Sequence, residues 1–416
     1  MNERLNRIIK FIFWNLIIVF PFIMGIVYSV ITYNNWWHKL IPRYTYNYFK
    51  LPVIYKPFLC IILFFVLVFI SLIIVKRNRK SISILPFYKL LIIVFFLSII
   101  PRYSLDILYY GKILQFSDYQ WVWHLALNQS PDLVRYSIFT SWANYAFILK
   151  KLYYLFGYTS NEIIHLNIIL NSISCVLITT FTYRISKDKV VSFLSGLLYA
   201  FLPSAIFYNL TNNPEIMSLP FFLGGIIILD NATKEKMTLL FRISNWILAG
   251  ILLGIGNAFK PVAIIIFIAF IITEIIFLSN QNRKKQILSL IVGITISLCG
   301  YYCVNSIITH LMMSEFGIPR IVSSTPHYLM QGLNTQYEGQ YLNSDYENLI
   351  RDGHSEKIAK TFIYNSILAD WKKNPLQVLK LFPKKTIWEW QDDLRPIWYF
   401  NVVKAILIIH KILSLT

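Results

Sequence analysis

Three charged side chains carry the chemical interest of this sequence. Asp118 stands in Gln115-Phe-Ser-Asp-Tyr-Gln-Trp-Val-Trp-His-Leu-Ala126, just beyond an apolar run. Glu215 closes Tyr208-Asn-Leu-Thr-Asn-Asn-Pro-Glu215 and opens a second run, and Lys260 lies in Gly256-Asn-Ala-Phe-Lys-Pro261 between two more. Charges in or beside membrane spans are costly, so they default to functional candidates. A carboxylate can take the proton from an attacking hydroxyl, and a lysine can neutralise charge growing on a phosphate leaving group. Each residue also has a plainer reading. Asp118, between Ser117 and Tyr119, suits a helix N-cap. Glu215, behind Asn213-Pro214, suits a first helical turn, where a carboxylate complements the macrodipole. Lys260 can snorkel to an interface.

What must position these residues is membrane helix. The chain has 416 residues, of which 56% are hydrophobic and only 14% charged, against roughly 25% charged in soluble proteins. Apolar runs of spanning length fall at 11–31, 58–75, 84–100, 163–183, 190–208, 215–229, 243–256, 259–278, 287–307 and 397–413. The formal net charge is +19. The basic residues come in short clusters between the runs, a positive-inside pattern that replaces nucleic acid as the explanation. Arg4, Arg7 and Lys10; Lys76 to Lys80; Arg184, Lys187 and Lys189; Lys234, Lys236 and Arg242; and Arg283 to Lys285 all fall on one side if each run crosses once. That side is read as cytoplasmic. The loop 32–57, with Lys39, Arg43, Lys50 and Lys56, runs against the rule. It is kept outside because moving it would invert the later clusters. The first run lacks a small-residue cleavage site and is read as a retained helix.

On this topology Asp118, Glu215 and Lys260 share the non-cytoplasmic face. Asp118 and Asp106 belong to the external stretch 101–162, whose segment 136–156 has helical apolar spacing and reads as an interfacial amphipathic helix. The polar stretch 308–396, with Trp371, Trp388, Trp390, Pro375 and Pro383, reads as a folded external module. His165, Asn167 and Asn171 read as interhelical hydrogen-bond partners. Gly250 and Gly254 form a small-xxx-small packing pattern. Gly254-x-Gly256 lacks the third glycine of a dinucleotide motif, and no P-loop is present. Cys60, Cys175, Cys299 and Cys303 all lie in spans and read as small buried residues, since no histidine or further cysteine completes a metal set.

The order of several stretches resembles the GT-C superfamily of integral-membrane glycosyltransferases, particularly the branch holding protein O-mannosyltransferases and bacterial lipid A aminoarabinose transferases. Ser117-Asp-Tyr119, continuing to His124-Leu-Ala126, is similar to that branch's first external loop. Leu152-Tyr-Tyr-Leu-Phe-Gly157, Ala200-Phe-Leu-Pro203 and Asn212-Asn-Pro-Glu215 follow in the family's order. His327-Tyr-Leu-Met-Gln-Gly-Leu-Asn334, Gly339-Gln-Tyr341, Asp345 and Asn374-Pro375 resemble bacterial envelope members. The chain differs in carrying a lone Asp118 in place of the mannosyltransferases' Asp-Glu pair.

The expected fold is an all-α polytopic membrane protein, a GT-C-like helical bundle with interfacial helices and a large external loop module. Its expected divisions are N-terminal transmembrane helices at 1–83, a core at 84–309 containing the loop 101–162, the external module 310–396, and a C-terminal helix at 397–416. The resemblance implies a multi-pass cell-membrane enzyme with an extracytoplasmic site. It would move a sugar from a polyprenyl-phosphate donor to an acceptor hydroxyl on a glycan, lipid or protein, with inversion. Asp118 would be the base. Lys260 would contact the donor phosphate, with Arg102 as a second candidate. Glu215 would shape the site, and His327 and Asn334 would select the acceptor. Membrane lipids are expected partners and nucleic acid is not. No cofactor is called for, and a divalent metal is left open. The rival readings are a polysaccharide polymerase or ligase and a lipid-linked-sugar transporter or flippase. The absence of repeat halves speaks against transport.

Overall fold

The computed structural model describes residue 73 and residues 77–108, 117–129, 132–157, 161–234, 238–277, 283–333, 335 and 345–382. The expected spans 11–31, 58–75 and 397–413 and Cys60 lie, in whole or nearly so, outside the described residues. Among those described, the structure is helical, without strands. The helices are α1 Arg79–Ile84, α2 Phe87–Leu108, α3 Ser117–Ala126, α4 Leu133–Ile138, α5 Thr140–Phe156, α6 Asn161–Ser186, α7 Lys189–Ala200 and α8 Pro203–Phe207. They continue with α9 Pro214–Ala232, α10 Leu239–Phe259, α11 Ala263–Phe277, α12 Arg283–Phe316, α13 Thr325–Leu333, α14 Asp345–Arg351 and α15 Glu356–Lys373. Two compact units divide the chain, with a boundary between Ser324 and Thr325.

In the first of these, up to Ser324, five helices are long and apolar enough to cross a membrane: Phe87–Ile107, Ile163–Ser186, Pro214–Ala232, Leu239–Phe259 and Gln286–Phe316. This is an all-α polytopic membrane protein. α9 packs on α10, α10 on α12, and α6 on α2, α7 and α9. The α10–α12 seam is set by glycine. A Cβ on Gly250 would stand 2.2 Å from the Ser297 carbonyl oxygen, and one on Gly254 2.9 Å from that of Tyr301. The Ser297 hydroxyl donates to the Trp246 carbonyl at 2.7 Å across the same seam. Gly250→Ala should therefore force the two backbones apart and cost ~1–3 kcal/mol, read as a lower unfolding temperature in detergent. Gly224→Ala is the control, because its Cβ would meet only Leu252 Cδ1 at 3.4 Å.

One expected span is corrected. The run 190–208 is not a single helix. α7 stops after 12 residues, roughly 18 Å of rise, and α8 and a 3-10 turn, Tyr208–Leu210, complete the passage. The cause is visible on both sides of the break. Pro203 opens α8, and a proline cannot continue the helix before it. Arg102, buried inside α2, donates to the Ala200 carbonyl at 3.0 Å and to the Ser98 carbonyl at 2.6 Å. A cation at the last carbonyls of a helix satisfies orphan acceptors and complements the dipole. The passage still returns the chain to its starting level. Asn167, in the second turn of α6, donates to the Asn209 and Thr211 carbonyls at 3.0 and 2.9 Å. Asn171 donates to the Ala205 carbonyl at 2.6 Å. Both asparagines thus act as inter-element hydrogen-bond donors, whereas His165 stays exposed with its ring 5.4 Å from Tyr103.

The cysteine expectation is half corrected. Cys175 is buried, but Cys299 and Cys303 face outward from α12, the surface a membrane helix presents to lipid.

The ends that the charge pattern assigns to one membrane face do gather. One core cluster joins Val122 and Leu125 of α3, Tyr136 of α4, Tyr145 and Leu149 of α5, Ile163 at the start of α6, Met217 at the start of α9, Phe259 at the end of α10 and Met312 near the end of α12. Helices α3 to α5 therefore cap the bundle. The segment expected as one interfacial helix is broken at Phe139, where Asp132 caps α4 by accepting from the Arg135 amide at 3.1 Å. At the opposite face Arg184 of α6 pairs with Asp230 of α9 at 2.9 Å. There Lys189 donates to the Leu85 carbonyl at 2.8 Å.

In the second unit α13, α14 and α15 pack together. Its core includes Tyr346, Ile350, Ala359 and Ile363. Thr335 donates to Asp370 of α15 through both its amide and its hydroxyl, at 3.1 and 2.8 Å.

Candidate functional site

Glu215 and Lys260 are 45 positions apart in sequence and in contact in the fold. Asn213 is the N-cap of α9 and accepts from the Glu215 amide at 2.8 Å, with Pro214 in the first helical turn. Proline suits that position because its missing N–H would be unsatisfied anyway. Glu215 thus stands in a first turn, where the macrodipole favours its charge. Lys260 is the C-cap of α10, its amide donating to the Gly256 carbonyl at 3.0 Å. Asn257 Oδ1 accepts from the Ala263 amide at 3.2 Å and so closes the turn around Lys260 and Pro261. The Lys260 ammonium donates to Glu215 Oε1 at 2.5 Å, with the two side chains 45% and 47% exposed. Each charge complements the helix end that carries it, and the ion pair joins two helices at the capped face of the bundle.

The first turn of α3 approaches the same place. Tyr119 meets Tyr208 edge to face, with ring centroids 6.4 Å apart. Tyr208 begins the 3-10 turn that leads through Asn212 and Asn213 to Glu215. Asp118 precedes Tyr119 in that first turn of α3; its side chain lies outside the described atoms. The rest of α3 is anchored by the Tyr136 hydroxyl, which donates to the Trp121 carbonyl at 3.0 Å, and by Arg135 above the Trp121 ring at 4.5 Å.

Beneath the ion pair lies Tyr145 of α5, which sequence reasoning missed. It is fully buried, with its ring 5.9 Å from that of Phe259. Burial, then Tyr153, then the Glu215 charge push its phenol well above the usual range, so it stays protonated. Only the aromatic density of 136–156 pointed to it, and that pattern reads equally as plain packing. Asn212 is also fully buried, and neither of its amide atoms has a hydrogen-bond partner among the described residues.

The other expected site residues are placed differently. Arg102 is buried in α2, where it serves the end of α7. Asp106, also on α2, is buried, with Oδ1 lacking a partner among the described residues. His327 is buried in α13 of the second unit, its ring 5.5 Å from Tyr328. Asn334 lies outside the described residues. No three His, Cys, Asp or Glu side chains come together as metal ligands among the described residues.

No curated protein and no solved structure matches the chain. Residues 144–304 match the family model described as dolichyl-phosphate-mannose-protein mannosyltransferase. The match begins in α5, beside Tyr145, and runs through Glu215 and Lys260 into α12. The match covers less than half of the chain, and over that stretch the core is similar to membrane glycosyltransferases of that family.

Proposed function

We propose that the protein transfers a sugar from a polyprenyl-phosphate donor to an acceptor hydroxyl, at the bundle face where Glu215, Lys260 and the first turn of α3 meet. The observation that carries this reading is the exposed Glu215–Lys260 pair inside the family match. Exposed ion pairs contribute only ~0.2–1 kcal/mol, so Lys260 can exchange its carboxylate for a phosphate at little cost. Asp118 is the general base that takes the acceptor proton as the acceptor oxygen attacks the anomeric carbon. The bond to the phosphate oxygen breaks in the same step, which inverts the centre and leaves no covalent enzyme intermediate. Lys260 meets the charge growing on the departing phosphate. Glu215 holds the ammonium in place until the donor arrives. The site faces the extracytoplasmic side of the cell membrane, and the product belongs to the cell envelope.

The test is transfer by the purified full chain in lipid nanodiscs, supplied with a panel of polyprenyl-phosphate sugars and hydroxyl acceptors. Release of free polyprenyl phosphate matched by sugar gained on an acceptor supports the reading. Movement of intact lipid-linked sugar across a proteoliposome bilayer, with no cleavage, overturns it.

The sidedness has its own test. Single cysteines placed at Lys80 and at Asn343 in a chain whose own cysteines are replaced should label from opposite sides, as the distribution of basic clusters requires. Labelling from one side would undo the placement of the site.

A further inference from the structure

A second cationic centre lies on the capped face, and the transfer reading makes no use of it. Lys150 and Lys151 of α5 both reach Glu315 of α12, one to each carboxylate oxygen, at 2.6 Å. Lys150 also donates to Asn128 Oδ1 at 3.1 Å, and Asn128 holds its left-handed conformation, φ 57°, just after α3. The Lys150 ammonium stands 5.3 Å above the Phe316 ring and that of Lys151 5.4 Å above the Phe147 ring. An open pocket of about 430 Å³ lies alongside, lined by Phe147, Lys151, Leu311, Ser314 and Glu315.

The charge of this cluster does not close. Two ammonium groups share one carboxylate, which leaves one positive charge. Each ammonium has three donors. Lys151 uses one on Glu315, and its side chain is 49% exposed beside the pocket. The exposed Ser314 supplies a hydroxyl on the same rim. The aromatic rings and Glu315 hold the ammonium groups in fixed places, so an arriving anion meets a positioned pair and not two free chains. Six residues separate Lys151 from Tyr145, roughly 9 Å along α5, which keeps this centre apart from the Glu215–Lys260 pair.

The geometry points to a binding site for a phosphate group at the membrane surface, held by Lys150, Lys151 and Ser314, with Glu315 as the built-in counter-ion that the phosphate displaces. A phosphate-bearing lipid headgroup and a free phosphate share this chemistry. Lys and Arg gain favourable energy from anionic headgroups one charge at a time. The inference does not rest on sugar transfer, because binding is read directly.

The experiment uses the full chain in nanodiscs of phosphatidylcholine, with and without phosphatidylglycerol. Retained lipid is counted by native mass spectrometry, and thermal protection is measured with inorganic phosphate in the neutral discs. Selective retention of phosphatidylglycerol is expected, falling about fivefold for each of Lys150→Gln and Lys151→Gln. Lys357→Gln, an exposed lysine on α15, should leave it unchanged. Glu315→Gln should raise retention, since the competing carboxylate is gone. Retention that inorganic phosphate does not disturb identifies a lipid phosphodiester, and protection by inorganic phosphate in neutral discs identifies a free phosphate. Either result supports the site. The idea is overturned if the native chain shows neither preference nor protection, or if both lysine variants bind like the native chain. A fall in retention on Glu315→Gln, with the thermal transition also lowered, would overturn it as well, because the cluster would then be only a staple between α5 and α12. If the Glu315 variant does not assemble, the two lysine variants decide.

Discussion

Asp118→Asn is expected to lower transfer by ~10²–10⁴-fold, the range a positioned general base supplies, while the protein still inserts and unfolds at its native temperature. The argument starts from local structure. Asp118 lies in the first turn of α3, an end of the helix where negative charge is favourable. An ionised carboxylate accepts a proton, and the isosteric amide does not. Asparagine still accepts hydrogen bonds at a helix start about as well as aspartate does. The substitution therefore removes the base and keeps the side chain's shape. Turnover should fall with donor affinity unchanged, because a lost proton acceptor acts on the transition state and not on ground-state binding. A thermal transition that drops together with activity would make the role of Asp118 structural and no more. Near-native turnover would shift the base to Glu215, since Asp106 is buried within α2, or reject the enzyme reading.

Much of the bundle was legible because bilayer thickness dictates run length. α2, α6, α9, α10 and α12 all lie over apolar runs. Gly250 and Gly254 were legible as a small-residue packing pattern, though the helix they pack against was not. Helix ends were less legible. α12 continues to Phe316, beyond the run that ends at 307, because a helix leaving the bilayer need not stop at its apolar edge. The break after Ala200 depends on Arg102, which is 98 positions away. An arginine near the end of an apolar run reads as an exposed charge until the fold shows which carbonyls it serves. The exposure of Cys299 and Cys303 was hidden for a related reason. In a chain whose outer surface is apolar, hydrophobicity does not separate a buried face from a lipid-facing one. At the site, each charge was legible singly, by its cost in a membrane setting. The Glu215–Lys260 contact was not, because it needs α9 and α10 to lie antiparallel with their capped ends together. Tyr145 was hidden inside an aromatic run whose members are interchangeable until packing distinguishes them.

The same contact makes Lys260→Met the sharper test of the donor site. The substitution keeps most of the aliphatic length and removes the charge. Glu215 then loses its partner, but its side chain is 47% exposed, so water replaces the ammonium and stability should change by no more than ~1 kcal/mol. Lys260 N–H still donates to the Gly256 carbonyl, because that bond is backbone, and the end of α10 should survive. Catalysis should not. Charge that builds on a leaving phosphate is stabilised by a fixed cation, and loss of one such group costs ~10²–10³-fold in rate. Donor affinity should fall as well, measured by binding of a polyprenyl phosphate in nanodiscs. Lys260→Arg should recover part of both, since the charge returns with a different shape. Glu215→Gln decides between the remaining explanations. If Glu215 holds the ammonium in reserve, removing its charge frees Lys260 and donor affinity should rise. If Lys260 serves only to complement Glu215 and the two helix ends, then Lys260→Met and Glu215→Gln should both leave affinity and rate at native values, and the phosphate must be met elsewhere on the capped face.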